Sequence, residues 1–161
     1  MKRIVVSLII GGLLGGFAGF VAGIFVYPYI FLADIVAAED IGDVSTRQLV
    51  AEGAFIHADP GDPIHYGSGG VTVYADAVHL QDDFQVGPGP AFHVYLAPQQ
   101  EVTPDTDVAA SMYVDLGRLR AFMGSQVYKI PAGVDLKRYP NVIVWCQRFG
   151  VLISPAKLAF L

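Results

Sequence analysis

An uncharged apolar stretch near the start of the chain limits what this protein can fold into. From Ile4 to Leu32 no residue carries a charge, and Lys2 and Arg3 lie just before the stretch. A bilayer core about 30 Å thick is crossed by roughly 20 apolar helical residues, so the stretch predicts a transmembrane helix within residues 1–32. The apolar region of a secretory signal peptide is only about 7–15 residues long, which favours an uncleaved signal-anchor over a removed signal.

The distribution of charge predicts how this helix is oriented. Apart from Lys2 and Arg3, every basic residue and all 15 acidic residues follow Leu32, which gives that part of the chain a net charge of −7. Positive flanks stay in the cytoplasm. The pattern therefore predicts a single-pass protein of the cytoplasmic membrane, with a cytoplasmic N-terminus and a periplasmic or extracellular C-terminal domain. A net negative domain is a poor candidate for binding nucleic acid.

Four glycines recur at every fourth position of the apolar stretch: Gly11, Gly15, Gly19 and Gly23. On a helix they form one face of small side chains, along which a second membrane helix can approach closely. They predict self-association through this interface. Glycine is also simply common in membrane helices, and the sequence leaves both readings open.

The rest of the chain divides into two parts that differ in residue composition and pattern. Residues 33–48 mix acidic and small residues and are interpreted as a juxtamembrane spacer. Residues 49–161 hold short β-type runs separated by glycine- and proline-rich turns, with no helical period of adequate length. They predict one all-β domain, an antiparallel β-sandwich of roughly eight short strands.

Spaced motifs in this domain match a known pattern. The first half carries Gly53-Ala54-Phe55, an H-x-x-G turn and a VYL strand, and the second half carries a leucine-glycine strand, a GxQxY step, a VDL turn and a WC strand. The positions are His65, Gly67, His93-Val94-Tyr95-Leu96, Leu116-Gly117, Gly124, Gln126, Tyr128, Val134-Asp135-Leu136, Tyr139, Trp145-Cys146 and Ala156-Lys157-Leu158. Together they resemble the DM-thirteen domain, the family called "electron transfer DM".

The resemblance implies a β-sandwich module that acts in electron transfer beside cytochrome-like domains, with its cysteine as the redox group. A family fold does not by itself establish a function. One departure concerns the GP turn, after which many members carry an aspartate. This chain has Gly89-Pro90-Ala91 at that place.

Cys146 is the one cysteine of the chain and lies in the run NVIVWCQRFGV. Read as a strand, the run places Cys146 and Arg148 on one face and Trp145 on the other. A guanidinium near the sulfur would favour a reactive thiolate, whereas deep burial would keep the thiol protonated and inert. Cys146 is therefore the candidate redox thiol, supported by Trp145 and Arg148, with a packed core cysteine as the alternative.

Other chemistry has weaker signals. His93 shares a strand face with Tyr95 and is a further candidate for shaping the site. A blue-copper centre needs two histidines with its cysteine, but all four histidines lie upstream of Cys146 in separate segments, so no metal or other cofactor is predicted, although haem and copper are not excluded. His65 is adjacent to a glycine-rich turn and has no evident acidic partner. No hydrolase or nucleotide-binding motif is present, and whether the chain is an enzyme stays open.

The sequence thus favours a membrane-anchored electron-transfer or thiol-redox accessory. A single cysteine cannot cycle a dithiol alone, so we expect a cytochrome-like or thiol-bearing partner, or a second copy of the chain. A non-catalytic binding or assembly module with a structural cysteine is the alternative.

The predicted orientation can be tested with a reporter fused after Leu161. We expect it to be active only outside the cytoplasm, because the basic flank precedes the helix. Moving the positive charge, by removing Lys2 and Arg3 and adding lysines between Asp34 and Asp43, should weaken or reverse the orientation. A cytoplasmic signal from the unaltered protein would contradict the argument.

Overall fold

The N-terminal segment is a long exposed helix. The computed structural model describes residues 2–161, except for the side chains of Phe25, Pro28 and Tyr29. Helix α1 spans Lys2–Tyr27, and a π-helical turn over Pro28–Leu32 follows it. At about 1.5 Å per residue α1 is roughly 39 Å long, and its Lys2–Ile24 part is long and apolar enough to cross a membrane.

Ten strands follow α1 among the described residues. They are β1 Val36–Ala38, β2 Leu49–Phe55, β3 Gly67–Tyr74, β4 Ala77–Leu80, β5 Gln85–Val86, β6 Phe92–Ala97, β7 Val114–Arg118, β8 Met123–Lys129, β9 Asn141–Cys146 and β10 Val151–Phe160. Short 3-10 turns lie at Val44–Thr46 and Leu136–Arg138. The all-β fold behind one N-terminal apolar helix is confirmed.

The strands form one sheet in the order β1-β8-β4-β3-β2-β10-β9-β6-β7, and β5 pairs with β3 and β8. Every pairing is antiparallel except that of β1 with β8. There are more strands than the predicted eight because β5 has two residues and β1 has three, and β1 lies inside the predicted spacer. The sheet curls so that side chains of β7 and β8, near its two ends, reach the same core, which is consistent with the predicted sandwich.

Side chains on the two faces of the sheet form two separate clusters. The main core draws alternate residues of each strand, including Val142, Val144 and Cys146 of β9. Ile143 and Trp145 point the other way, into a second cluster covered by residues of the loop between β6 and β7. All six residues of β9 are buried as a result.

Strand β1 is held to the domain by the hydrogen bonds and the ion pair of Glu39. The Glu39 carboxylate accepts hydrogen bonds from the Arg120 guanidinium and from the Val127 N–H (2.8 Å), and its own N–H donates to the Ser125 carbonyl (3.0 Å). The guanidinium of Arg120 also lies 4.2 Å from the centre of the Tyr128 ring. The segment after α1 is thus partly included in the sheet, since β1 lies within the predicted spacer.

We expect Glu39→Gln to loosen β1 without unfolding the domain. Burial raises the pKa of Glu39, but the bonds from Arg120 and Val127 outweigh it and hold the pKa below its usual value. The carboxylate therefore stabilises the docked strand at neutral pH, and this contribution is lost as the pH falls through the lowered pKa. Because the pair is partly exposed, the loss should be below about 1 kcal/mol.

Hydrogen exchange of the amides in residues 36–39 and 123–127 measures this change. In the variant they should exchange faster at neutral pH, whereas amides of β9 should keep their protection. Asp34→Asn is the matched control, since it removes a neighbouring carboxylate that does not take part in the contacts of Glu39. Equal exchange in all three proteins would show that Glu39 does not hold the strand.

Candidate functional site

The β9 strand ends at Cys146, and the predicted continuation to Val151 is wrong. Residues 147–150 form a turn, and the Gly150 N–H donates to the Cys146 carbonyl at 2.9 Å. Gly150 has φ +63°, in the left-handed region that glycine adopts most readily. Cys146 therefore sits at the last strand position, beside a tight turn, and Arg148 is not on the strand face that it was predicted to share with the cysteine.

The thiol of Cys146 is enclosed. The residue is 1% exposed, and its Sγ–H donates to the Pro90 carbonyl at 3.2 Å. Cys146 lines a cavity of about 60 Å³. The walls of this cavity are formed by the residues Ile64, His65, Pro88, Gly89, Pro90, Phe92 and Phe149 together with Cys146 itself.

Burial raises the pKa of the Cys146 thiol above its usual value, and backbone N–H groups of Phe149 and Arg148 only partly offset this effect. Arg148 reaches the sulfur through its backbone, while its side chain lies on the exposed turn. The geometry thus supplies local dipoles in place of the guanidinium predicted from the sequence. At neutral pH the folded state keeps the thiol protonated.

A histidine paired with a carboxylate lines the same cavity. His65 Nδ1 lies 2.5 Å from Asp62 Oδ2, and Asp62 also accepts the backbone N–H groups of Ile64 (2.8 Å) and His65 (3.2 Å). These bonds lower the pKa of Asp62 to about 2, so its carboxylate is ionised. An ionised carboxylate only accepts, so Nδ1 carries the proton and Nε2 of a neutral His65 keeps a lone pair.

This pair was not predicted from the sequence, in which His65 had no evident acidic partner. Asp62 performs both roles, because one of its oxygens caps the turn and the other orients the imidazole. The signal available in the sequence was the spacing of three residues between the aspartate and the histidine.

His93 and Trp145 lie on the opposite side of β9 from the thiol. They are cross-strand partners between β6 and β9, so their side chains share a face. His93 Nδ1 pairs with Asp115 at 3.0 Å. The amide of Gln147 donates to Asp115 (3.1 Å) and to the Tyr95 hydroxyl (2.7 Å). Of the predicted supporting residues, His93 thus belongs to a polar cluster with Asp115 and Gln147, and Trp145 shares its side of the sheet, opposite Cys146.

Tyr95 belongs to the second hydrophobic cluster, and its hydroxyl joins it to this polar cluster. Its ring stacks on that of Tyr113, with 4.3 Å between the centroids, and the residue is 1% exposed. Burial is the main cause that raises the pKa of Tyr95 to about 12. Val94 and Leu96 of β6 face the main core, whereas Tyr95 on the other face is covered by the loop after β6.

Metal-ligating side chains do not converge in residues 2–161. No three His, Cys, Asp or Glu side chains of this described part are placed to hold a metal ion together. His79, for example, bonds the Ser125 hydroxyl (2.8 Å), and burial lowers its pKa. The chemistry of the site thus consists of one thiol with one histidine–aspartate pair.

Comparison with known families identifies the domain. The family model described as Electron transfer DM13 matches residues 61–158. The chain belongs to this DM13 family. No curated protein and no solved structure matches it significantly. The DM13 match includes the His65–Asp62 pair, the GP turn and Cys146, whereas α1 and β1 precede it.

The reactivity of Cys146 follows from its burial. With iodoacetamide at pH 7 we expect the folded protein to react more slowly than a free cysteine, whose pKa is about 8.5, and denaturant to remove the difference. Arg148→Gln should leave the rate in the folded protein unchanged, because the backbone N–H that reaches the sulfur is retained. A slower reaction in this variant would restore the guanidinium hypothesis.

Proposed function

We propose that this DM13 protein is an electron-transfer accessory held outside the cytoplasm by α1, and that Cys146 is the group that exchanges electrons. The family and the apolar helix support the coarser statement, an electron-transfer module associated with a membrane. The basic flank, Lys2 and Arg3, and the negative charge beyond the helix support the proposed compartment.

The observation that carries the role of Cys146 is the histidine–aspartate pair that lines the same cavity. A thiol must lose its proton before it reacts as a nucleophile, and burial opposes that loss. His65 lines the same cavity and is oriented by Asp62, an arrangement in which a base activates a nucleophile and a third group orients the base. The cavity thus contains both the electron donor and a place for its proton.

The step that this geometry supports is thiol–disulfide exchange with a partner. The proton of Cys146 passes to Nε2 of His65, and the thiolate attacks one sulfur of a disulfide in the partner. A new S–S bond forms to Cys146, the partner's S–S bond breaks, and the leaving thiolate takes up a proton. A dithiol of a second, reducing partner then resolves this mixed disulfide. Its first thiolate attacks Sγ of Cys146 and displaces the first partner's sulfur, which leaves as a thiol, and its second thiolate displaces Cys146 as the dithiol closes to a disulfide. Two electrons thus pass from the dithiol to the first partner's disulfide through Cys146. A cytochrome-like domain stays the alternative partner of the same thiol.

A second candidate function is a binding or assembly module with a structural cysteine. The complete burial of Cys146 and the bond to Pro90 favour it. The two candidate functions differ in the role of His65, since a thiol that only packs in the core needs no base to remove its proton.

Exchange with a small aromatic disulfide, 4,4′-dithiodipyridine, distinguishes them. In the full-length protein in nanodiscs, release of the coloured thiopyridone reports attack by Cys146, and Cys146→Ala should abolish it. We expect His65→Gln to slow the release at least about tenfold, because general base catalysis contributes that much or more. Asp62→Asn should give a smaller loss by releasing the imidazole from its orientation.

His79→Gln is the matched control, since it exchanges a histidine of β4 that bonds Ser125 instead of lining the cavity. Its rate should equal that of the unaltered protein. Near-ultraviolet circular dichroism shows whether each variant keeps its packing. If folded His65→Gln exchanges as fast as the unaltered protein, the thiol is a core residue and the binding-module function stands.

A further inference from the structure

A groove lies between the outer end of α1 and the domain. It consists of two connected cavities of about 320 and 410 Å³, within the range of small-molecule sites. Both are lined by Leu32, Gly89 and Arg118. The remaining walls come from the end of α1, from Ile35 before β1, and from the segments that precede β6 and β8.

The polar group of this groove is the guanidinium of Arg118. Its side chain is exposed, and no hydrogen bond or ion pair of the guanidinium is found within residues 2–161. Arg120 also lines the groove but is already engaged by Glu39. One guanidinium at the rim of an apolar groove is suited to a ligand that is mostly apolar and carries a hydrogen-bond acceptor at one end.

The position of the groove indicates that such a ligand enters from the lipid. Phe20 and Ile24 belong to the part of α1 that is long enough to span a membrane, so the apolar side of the groove is continuous with the lipid. The other side is the domain, beyond the interface. A ligand bound there has its apolar tail in the bilayer and its polar ring against Arg118.

The groove also adjoins the site of Cys146. Gly89 and Pro90 line both the groove and the thiol cavity, and the sulfur donates to the Pro90 carbonyl. One stretch of backbone therefore separates a ligand in the groove from the thiol. The rings of Phe92 and Phe122, packed edge to face with centroids 5.8 Å apart, contribute apolar wall to the groove.

We propose that this groove binds the ring of a membrane quinone. A quinone has an isoprenoid tail that stays in the lipid, a planar apolar ring, and carbonyl oxygens that accept N–H donors. The phosphate of a phospholipid headgroup would be repelled by a domain of net charge −7, whereas a neutral quinone ring would not be. The inference deepens the proposed function, on which it rests, by naming the class of electron carrier that meets the domain.

Binding can be measured on the full-length protein in phosphatidylcholine nanodiscs. A photoreactive azido-quinone should label peptides of residues 89–92 or 118–122 saturably, and decylubiquinone should compete. Arg118→Gln should weaken the competition about tenfold, the loss expected for a hydrogen bond to a charged donor, and Arg118→Lys should restore part of it. Ile35→Trp should block labelling by filling the groove. Arg138→Gln, which removes an exposed guanidinium on another turn, should label like the unaltered protein.

Three results would overturn the inference. They are labelling that does not saturate, labelling that Arg118→Gln leaves unchanged in a folded protein, and displacement of the probe by added phosphatidylglycerol, which would make the occupant a phospholipid. Cys146→Ala should still bind decylubiquinone, because the thiol is outside the groove. If labelling fails while thiol exchange still depends on His65, the quinone inference is wrong and the proposed function is untouched.

Discussion

The burial of β9 on both faces is the constraint on which the rest of this structure depends. Its alternate residues divide between two clusters, with Cys146 in the main core and Trp145 in the second. A slip of one residue would exchange these sets and put the thiol on the other side of the sheet. Because β6 and β10 flank β9 and supply neighbours in both clusters, the register is fixed from both edges. The chemistry at Cys146 is therefore set by packing before any polar contact is made.

Much of the fold could be predicted because its signals are local. The apolar helix, the all-β texture and the opposite faces of Cys146 and Trp145 follow from composition and alternation alone. Strand β1 could not, since three small residues acquire a strand conformation only through pairing with β8, far away in the sequence. That pairing needs Gly124, at φ +86°, where a Cβ atom would lie 2.1 Å from the Ala37 carbonyl oxygen. The end of β9 was missed because the residues after Cys146 suit a strand equally well until the turn at Gly150 reverses the chain.

The candidate site, like the fold, could be predicted from the sequence only in part. The cysteine was identified from the sequence, but the groups around it are brought there by contacts between distant segments. His65 precedes Cys146 by about eighty positions, and no pattern within its own turn indicates that it faces a thiol. His93 and Trp145 were predicted to support the cysteine. They lie instead on the opposite side of the sheet, where His93 pairs with Asp115 and Trp145 is its cross-strand neighbour. Proximity along a strand is thus a poor guide to which groups share a site.

The enclosure of the thiol changes which property of the site governs its reactivity. A raised pKa makes spontaneous oxidation slow, because the thiolate is the reactive form, and it protects a single cysteine from irreversible products. Such a thiol reacts only where a base takes its proton and a reactant can reach the sulfur. In the proposed exchange His65 is that base, and residues 88–90 with Phe92 form one wall of the cavity that a reactant would have to pass. Ala91, between them, has φ +53°, a conformation that an alanine adopts at a cost of about 1 kcal/mol or more, so this wall is held in place by its surroundings. Gly89 and Pro90 of the same wall also line the groove proposed to bind a quinone, so an occupant of the groove would contact the segment that encloses the thiol. The proposed function thus places the control of thiol reactivity at Gly89, Pro90 and Ala91, through access more than through charge.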